Sequence, residues 1–309
     1  MGRSRWRSKG QRKTSNRKRQ NVLKAMVTID SVTPECPGMR RDGLDGFVYM
    51  ALKRLDTLVA EMRKSVSLPG DHTADSAVKR YLMYLSMLVD IALADIAMSA
   101  VHGNDVAVEI KQRMLVEYAA KAEYYNTHSD YALYMTTIGE AESVLKKARV
   151  GGYDAETVKR LEDELEEKRR DFAHVAKVTK PKFDAIMREL TGRDLGRNDE
   201  YVWLYSAPSA LMHGDPEGMR QMFEADENGM IQGKIKLDNA HLNALMVDAG
   251  SNALTFCKAF INRFHSNNGI LVAQLKELER TFKALALKHD DGREPEVLDA
   301  IRAELESGD

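Results

Sequence analysis

From Leu44 onward the chain keeps returning apolar residues at steps of three and four, and this periodicity dictates a helical fold ahead of any other feature. Leu44, Phe47, Val48, Ala51, Leu52, Leu55, Leu58, Val59 and Met62 form one stripe, which predicts an amphipathic helix of about five turns. The Leu68-Pro69-Gly70 break ends it. Asp71 or Thr73 can then cap a second helix running to about Val101. His102-Gly103-Asn104 supplies a stop and a restart, because glycine suits the left-handed position past a helix end and Asn104 or Asp105 can accept the open N–H groups of the next start. Helices are expected to continue through Asn126 and from Ser129 to about Arg149, where Gly151-Gly152 closes the first half.

The second half opens on a charged stretch, Asp154 to Val178, with a thin apolar stripe of Val158, Leu161, Leu165, Phe172, Val175 and Ala176. It reads as a long helix that protrudes from the body or lies across it. Pro181 interrupts it, and a further helix is expected to reach Leu190. In residues 223–237 (FEADENGMIQGKIKL) alternation beats helical spacing, and Asn228-Gly229 suits a type I′ turn, so a small β-hairpin is expected as an insertion there. Helix returns over Asn239 to His265 and Gly269 to His289, with a short last one from about Glu294 to Glu306. The expected fold class is all-α: a multi-helix bundle of roughly nine or ten helices in a single domain over residues 40–306. Neither a long repeat nor a sustained heptad register argues for a solenoid or a coiled coil.

Charge is divided unevenly. The whole chain carries 46 Lys plus Arg against 47 Asp plus Glu. Residues 1–24 hold ten of the cations (Arg3, Arg5, Arg7, Lys9, Arg12, Lys13, Arg17, Lys18, Arg19 and Lys24) and no acid, which leaves 36 basic against 47 acidic residues in the rest. Such a run buries too little apolar surface to offset the entropy of ordering, so a disordered basic arm is expected. Its chemical complement is a polyanion: nucleic acid, bound through phosphates without sequence specificity. A solubilising tail is the plainer alternative.

Only 2 Cys and 7 Pro among 309 residues exclude disulfide scaffolds, collagen and mucin-like stalks. Cys36 and Cys257 form no CxxC pair, which fits a reducing compartment. The segment from Val22 to Val32 is too short and polar for a secretory core, so a cytoplasmic protein is expected. The most apolar stretch, Tyr81 to Val101, carries Asp90 and Asp95 and is expected to be a buried core helix, with no membrane partner.

The motifs of phosphate-cradling loops, zincins, hydrolase elbows and structural zinc sites are absent. Candidate chemistry therefore rests on dispersed polar residues. Asp95, Ser99 and His102 share one helix face, where a carboxylate could orient an imidazole, although capping alone explains His102. In KQRMLVEYAAKAEYY, Arg113 and Glu117 stand four apart among apolar and aromatic residues, with Tyr118 beside them. The pair is either a structural tie to Asp90 or Asp95, or an arginine that grips a phosphate or carboxylate in bidentate fashion. In YVWLYSAPSALMHGDPEGM, Tyr205, Ser209 and His213 would line one face if the helix survives Pro208. Capping explains Gly214, Asp215 and Pro216 but not the hydroxyl and aromatic character before His213. Arg169 and His174 in RRDFAH match the Arg-x4–6-His spacing of HEPN-type ribonucleases, at a level that chance provides in a chain of this composition.

The segments RMLVEYAAKAEYY (113–125) and YSAPSALMHGDPEGM (205–219) together resemble the Arg-x-x-x-Glu and Ser-x-x-x-His helices of a widespread bacterial all-helical family, domain-of-unknown-function family 5677, regarded as HEPN-like. The shared frame spans roughly Tyr81 to Phe264. The resemblance implies an all-helical protein of defence or stress type, bacterial or phage, acting on or beside nucleic acid, with Arg113, Glu117, Ser209 and His213 as candidate catalytic residues. A HEPN ribonuclease pairs an arginine with its histidine, yet the nearest arginine before His213 is Arg197, so Arg113 would have to supply the charge from its own helix.

RNA cleavage without a metal or cofactor is the expected reaction if the chain is an enzyme. His213 would move the proton of a ribose 2′-hydroxyl or of the leaving oxygen, Arg113 would stabilise charge on the phosphate, and Glu117 and Ser209 would orient them. The competing expectation is a non-enzymatic helical interaction module tethered to nucleic acid by its basic arm. A metal-dependent hydrolase using His102, His213, Asp215 and Glu117 matches no helical-bundle ligand motif. The expected partners are nucleic acid and a second copy of the chain.

Overall fold

In the computed structural model the apolar stripe after Leu44 becomes α1, Gly46–Lys64, which buries Val48, Ala51, Leu52, Leu55, Leu58, Val59 and Met62 and leaves Phe47 outside. Residues 44–64, 66–68, 70–178, 181–191, 223–225, 231–233 and 239–289 are described, together with 299, 302, 303 and 306. The basic arm, Ser209, His213 and most of the expected last helix lie outside them. The described residues all fall in one compact unit within 43–309.

Helix α2, Ala74–Val101, starts where Thr73 accepts the Ser76 N–H and stops at His102, followed by Gly103 at φ +71°. Asn104 then caps α3, Asp105–Thr127, by accepting the Ala107 N–H. This stop-and-restart folds α3 back onto α2. One helix was expected from Ser129 to Arg149. The chain instead breaks it into α4, Ser129–Thr136, and α5, Ile138–Val150, at Thr137. The Thr136 and Thr137 hydroxyls donate to the carbonyls of Ala132 and Leu133, bonds that compete with the helix ladder and bend it.

The charged stretch forms α6, Ala155–Asp171, seven residues shorter than expected at its C-terminal end. Residues 172–177 turn, driven by Val175, which is fully buried and cannot stay on a solvated helix. Helix α6 lies along α5, tied by Arg149 to Glu162 and by Arg169 to Glu142. Helix α7, Phe183–Thr191, packs on α3. Helix α8, Asn239–Phe264, covers the other side of α3, and α9, Gly269–Lys288, lies against α8 and α1. A single apolar core runs through these helices from Val48 to Ala286.

The fold is all-helical. Two three-residue strands, β1, Phe223–Ala225, and β2, Ile231–Gly233, pair antiparallel with Glu224 opposite Gln232. The inserted hairpin expected over 223–237 is not supported as an element of the fold, since three rungs are too short to carry a buried face or stand alone. Helix α2 is long and apolar enough to cross a membrane, and 44% of its most apolar window is buried inside the bundle.

Candidate functional site

Helix α3 is the central element, packed against α2 and α8, and burial on so many sides makes its polar residues conspicuous. Arg113 is 8% exposed and Gln112 fully buried. The guanidinium of Arg113 stands 3.9 Å from the Glu117 carboxylate, an ion-pair distance beyond hydrogen-bond range. The other oxygen of Glu117 accepts from Lys121, one turn further on. Arg113, Glu117 and Lys121 thus form a cation–anion–cation line along α3, which is locally electropositive. Tyr118 sits beside it. Burial, with Glu117 second, pushes its hydroxyl up to about 12, so it remains a proton donor at neutral pH.

Gln112 was not singled out by its sequence context, and no periodic signal could have found it. Among the described residues neither of its side-chain amide atoms has a hydrogen-bond partner. A buried amide in that state costs about 1–3 kcal/mol and is uncommon in a folded chain.

Several sequence expectations change at this level. The tie from Arg113 to Asp90 or Asp95 does not form: Asp95 is held by Lys111 at 2.6 Å and Asp90 by Arg63 from α1. Asp95, Ser99 and His102 do not assemble, because Asp95 is engaged with Lys111 and His102 is an exposed cap residue. Arg169 binds Glu142 and Glu166, and His174 lies in the turn beyond α6, so RRDFAH makes no Arg–His pair on one helix. Among the described residues no group of His, Cys, Asp or Glu is placed to hold a metal ion, and Glu117 is engaged by Lys121 instead. Ser209, His213 and Asp215 lie outside the described residues, as do Arg3, Arg5, Arg7, Lys9, Arg12, Lys13, Arg17, Lys18 and Arg19.

Two further titratable clusters join the ends and edges of helices. Asp56 on α1 shares a hydrogen bond with Asp90 on α2; burial and that second carboxylate, against the opposing pull of Lys53, raise its carboxyl to about 6. Asp45, ahead of α1, behaves oppositely. Burial would raise it, but hydrogen bonds from Lys288, His289 and the Phe47 N–H outweigh this and hold it at about 2. Asp45 thereby clasps the start of α1 to the end of α9.

No family model matches the chain, and no curated protein or solved structure matches it at a significant level.

Proposed function

We propose that this chain is a helical interaction module that acts on or beside nucleic acid, with its basic N-terminal segment as the tether and its helical bundle as the platform. The observation that carries this reading is the charge division: ten cations and no acid in residues 1–24, against an excess of eleven acids in the remainder. The bundle alone repels a polyanion at long range, whereas the arm attracts it. Deleting residues 1–24 is expected to abolish binding to single-stranded RNA in a fluorescence-anisotropy titration, while the melting temperature of the remainder stays unchanged. Retained affinity in the deletion would refute the tether.

A second reading, HEPN-like RNA cleavage, is favoured by the buried polar group on α3. Arg113, Lys121 and the Tyr118 hydroxyl supply two cations and a proton donor beside one carboxylate, the kind of set that stabilises developing charge on a phosphate. In that scheme His213 transfers the proton. Purified chain should then cleave RNA without added metal, and His213→Ala and Arg113→Gln should each lower the rate at least about a hundredfold. Cleavage that survives His213→Ala would rule it out.

A further inference from the structure

The clasp at Asp45 engages only one end of two of the polar side chains that make it. Asn243 on α8 is 4% exposed, and its Oδ1 accepts the Asp45 N–H at 3.1 Å, which fixes the orientation of the amide and leaves its NH2 group as the other end. Nε2 of His289 is held by the Asp45 carboxylate. Among the described residues neither the Asn243 Nδ2 nor the His289 Nδ1 makes a hydrogen bond. With Nε2–H donating to Asp45, the Nδ1 of the neutral imidazole is an acceptor. A donor and an acceptor are thus left over on two side chains that are both bonded to Asp45.

Both side chains line an open cavity of about 670 Å³, a volume usual for a small-ligand site. Its apolar wall is Phe47 and Met50, neighbours on one face of α1 and 74% and 59% exposed. Lys288, paired with Asp45, lies over the Phe47 ring with its Nζ 5.5 Å from the centroid, and the ring is otherwise open. Gly46 completes the lining, and a Cβ built on it would meet nothing within 4 Å.

These groups select the chemistry of an occupant. The charges of Asp45 and Lys288 cancel, so the cavity has no surplus cation to capture a phosphate or a carboxylate. An aliphatic molecule would use the wall and leave the buried amide unpaired, at the cost of an unmade hydrogen bond. A flat neutral ring with a C=O beside an N–H uses everything: the C=O accepts from the Asn243 NH2, the N–H donates to the His289 Nδ1, and the ring face lies on Phe47 with the Met50 thioether alongside.

We infer that this cavity binds a keto nucleobase, uracil or guanine, which stacks on Phe47 and pairs its C=O and N–H edge with Asn243 and His289. The base reaches the cavity from a free nucleoside or nucleotide, or from single-stranded RNA. In the second case the cavity adds a base preference to RNA that the arm already holds, and that case alone rests on the nucleic-acid reading above.

Nucleosides carry no phosphate, so their binding owes nothing to the basic arm. Saturation-transfer NMR titrations on the full chain are expected to show binding of uridine and of inosine, whose base has the edge of guanine. Cytidine and adenosine present a ring nitrogen acceptor beside an NH2 donor and should bind at least about tenfold more weakly. Phe47→Ala should weaken uridine binding at least about fivefold, and Gly46→Met, which extends a side chain into the cavity without a collision, should abolish it. Both positions are exposed, so the melting temperatures of the variants should match wild type. The source is read from short RNAs. A preference for oligouridine over oligocytidine that Gly46→Met removes assigns RNA, whereas equal affinity for the two RNAs beside saturable uridine binding assigns a free nucleoside or nucleotide; both uphold the site. Absence of saturable nucleoside binding, equal binding of uridine and cytidine, or uridine binding untouched by Gly46→Met would each overturn it. None of these three bears on the arm, whose own test is the deletion of residues 1–24.

Discussion

A carboxyl group that prefers to stay protonated in a folded protein weakens that protein whenever it is forced to ionise, and Asp56 is in this position. Its folded value of about 6 lies above the ordinary 3.8, because burial and the neighbouring Asp90 both oppose its charge. The folded chain therefore holds a proton that the unfolded chain has released. Stability from this group is full below about pH 4, falls as pH rises toward 6, and stays lost above it. Asp56→Asn keeps the hydrogen bond to Asp90 without the second charge. It should raise stability above pH 6, on the order of 1 kcal/mol given partial exposure, and leave the melting temperature at pH 4 unchanged. Thermal melts at pH 4 and pH 7.5 decide this, and a variant less stable than wild type at pH 7.5 would refute it. Asp45 runs the other way: its value of about 2 gives stability that is present above pH 4 and lost as pH falls through 2.

At the scale of helices, the pairing of α8 with α9 depends on one missing methyl group. A Cβ built on Gly250 would lie 2.0 Å from the Phe282 ring, a distance no real contact tolerates, and Phe282 is itself buried and cannot swing away. Gly250→Ala should cost about 1–3 kcal/mol through overpacking despite the higher helix propensity of alanine. Chemical denaturation measures it, and a neutral or stabilised variant would show that the two helices can separate freely. The same level shows what a sequence can disclose. The core stripe of α1 and the Gly103 stop were readable because periodicity and left-handed glycines are local. The break at Thr137 was not, since it comes from two hydroxyls bonding backward rather than from Gly or Pro. Burial of Arg113 was legible from its apolar neighbours, and Lys121 at four residues from Glu117 could have been read as its partner. The partners of Asp90 and Asp95 were hidden, because which cation reaches a carboxylate depends on how helices cross. The exposure of Tyr84, Met87, Ile91 and Met98 on α2 was hidden for a related reason: apolar residues on every side of a helix read as core until the packing leaves one face exposed.

For the whole molecule the decisive quantity is how its affinity for nucleic acid falls with salt. Each phosphate neutralised releases counterions, so the slope of log affinity against log salt concentration counts the cations engaged. Ten arm cations set upper bounds of about −7 on single-stranded RNA and about −9 on duplex DNA. Binding through the arm alone should approach these slopes and should not depend on base sequence, because phosphates carry no sequence information. Engagement of the α3 group would add a contribution that survives high salt and disappears in Arg113→Gln, since a buried guanidinium on a phosphate is screened far less than a surface lysine. Titrations of the wild type and Arg113→Gln between about 50 and 500 mM salt separate the two. Parallel lines of equal affinity would assign all binding to the arm, and Arg113 would then be a structural residue of α3. Curves that diverge as salt rises would place a phosphate at Arg113, and the RNA-cleavage reading would become the stronger one.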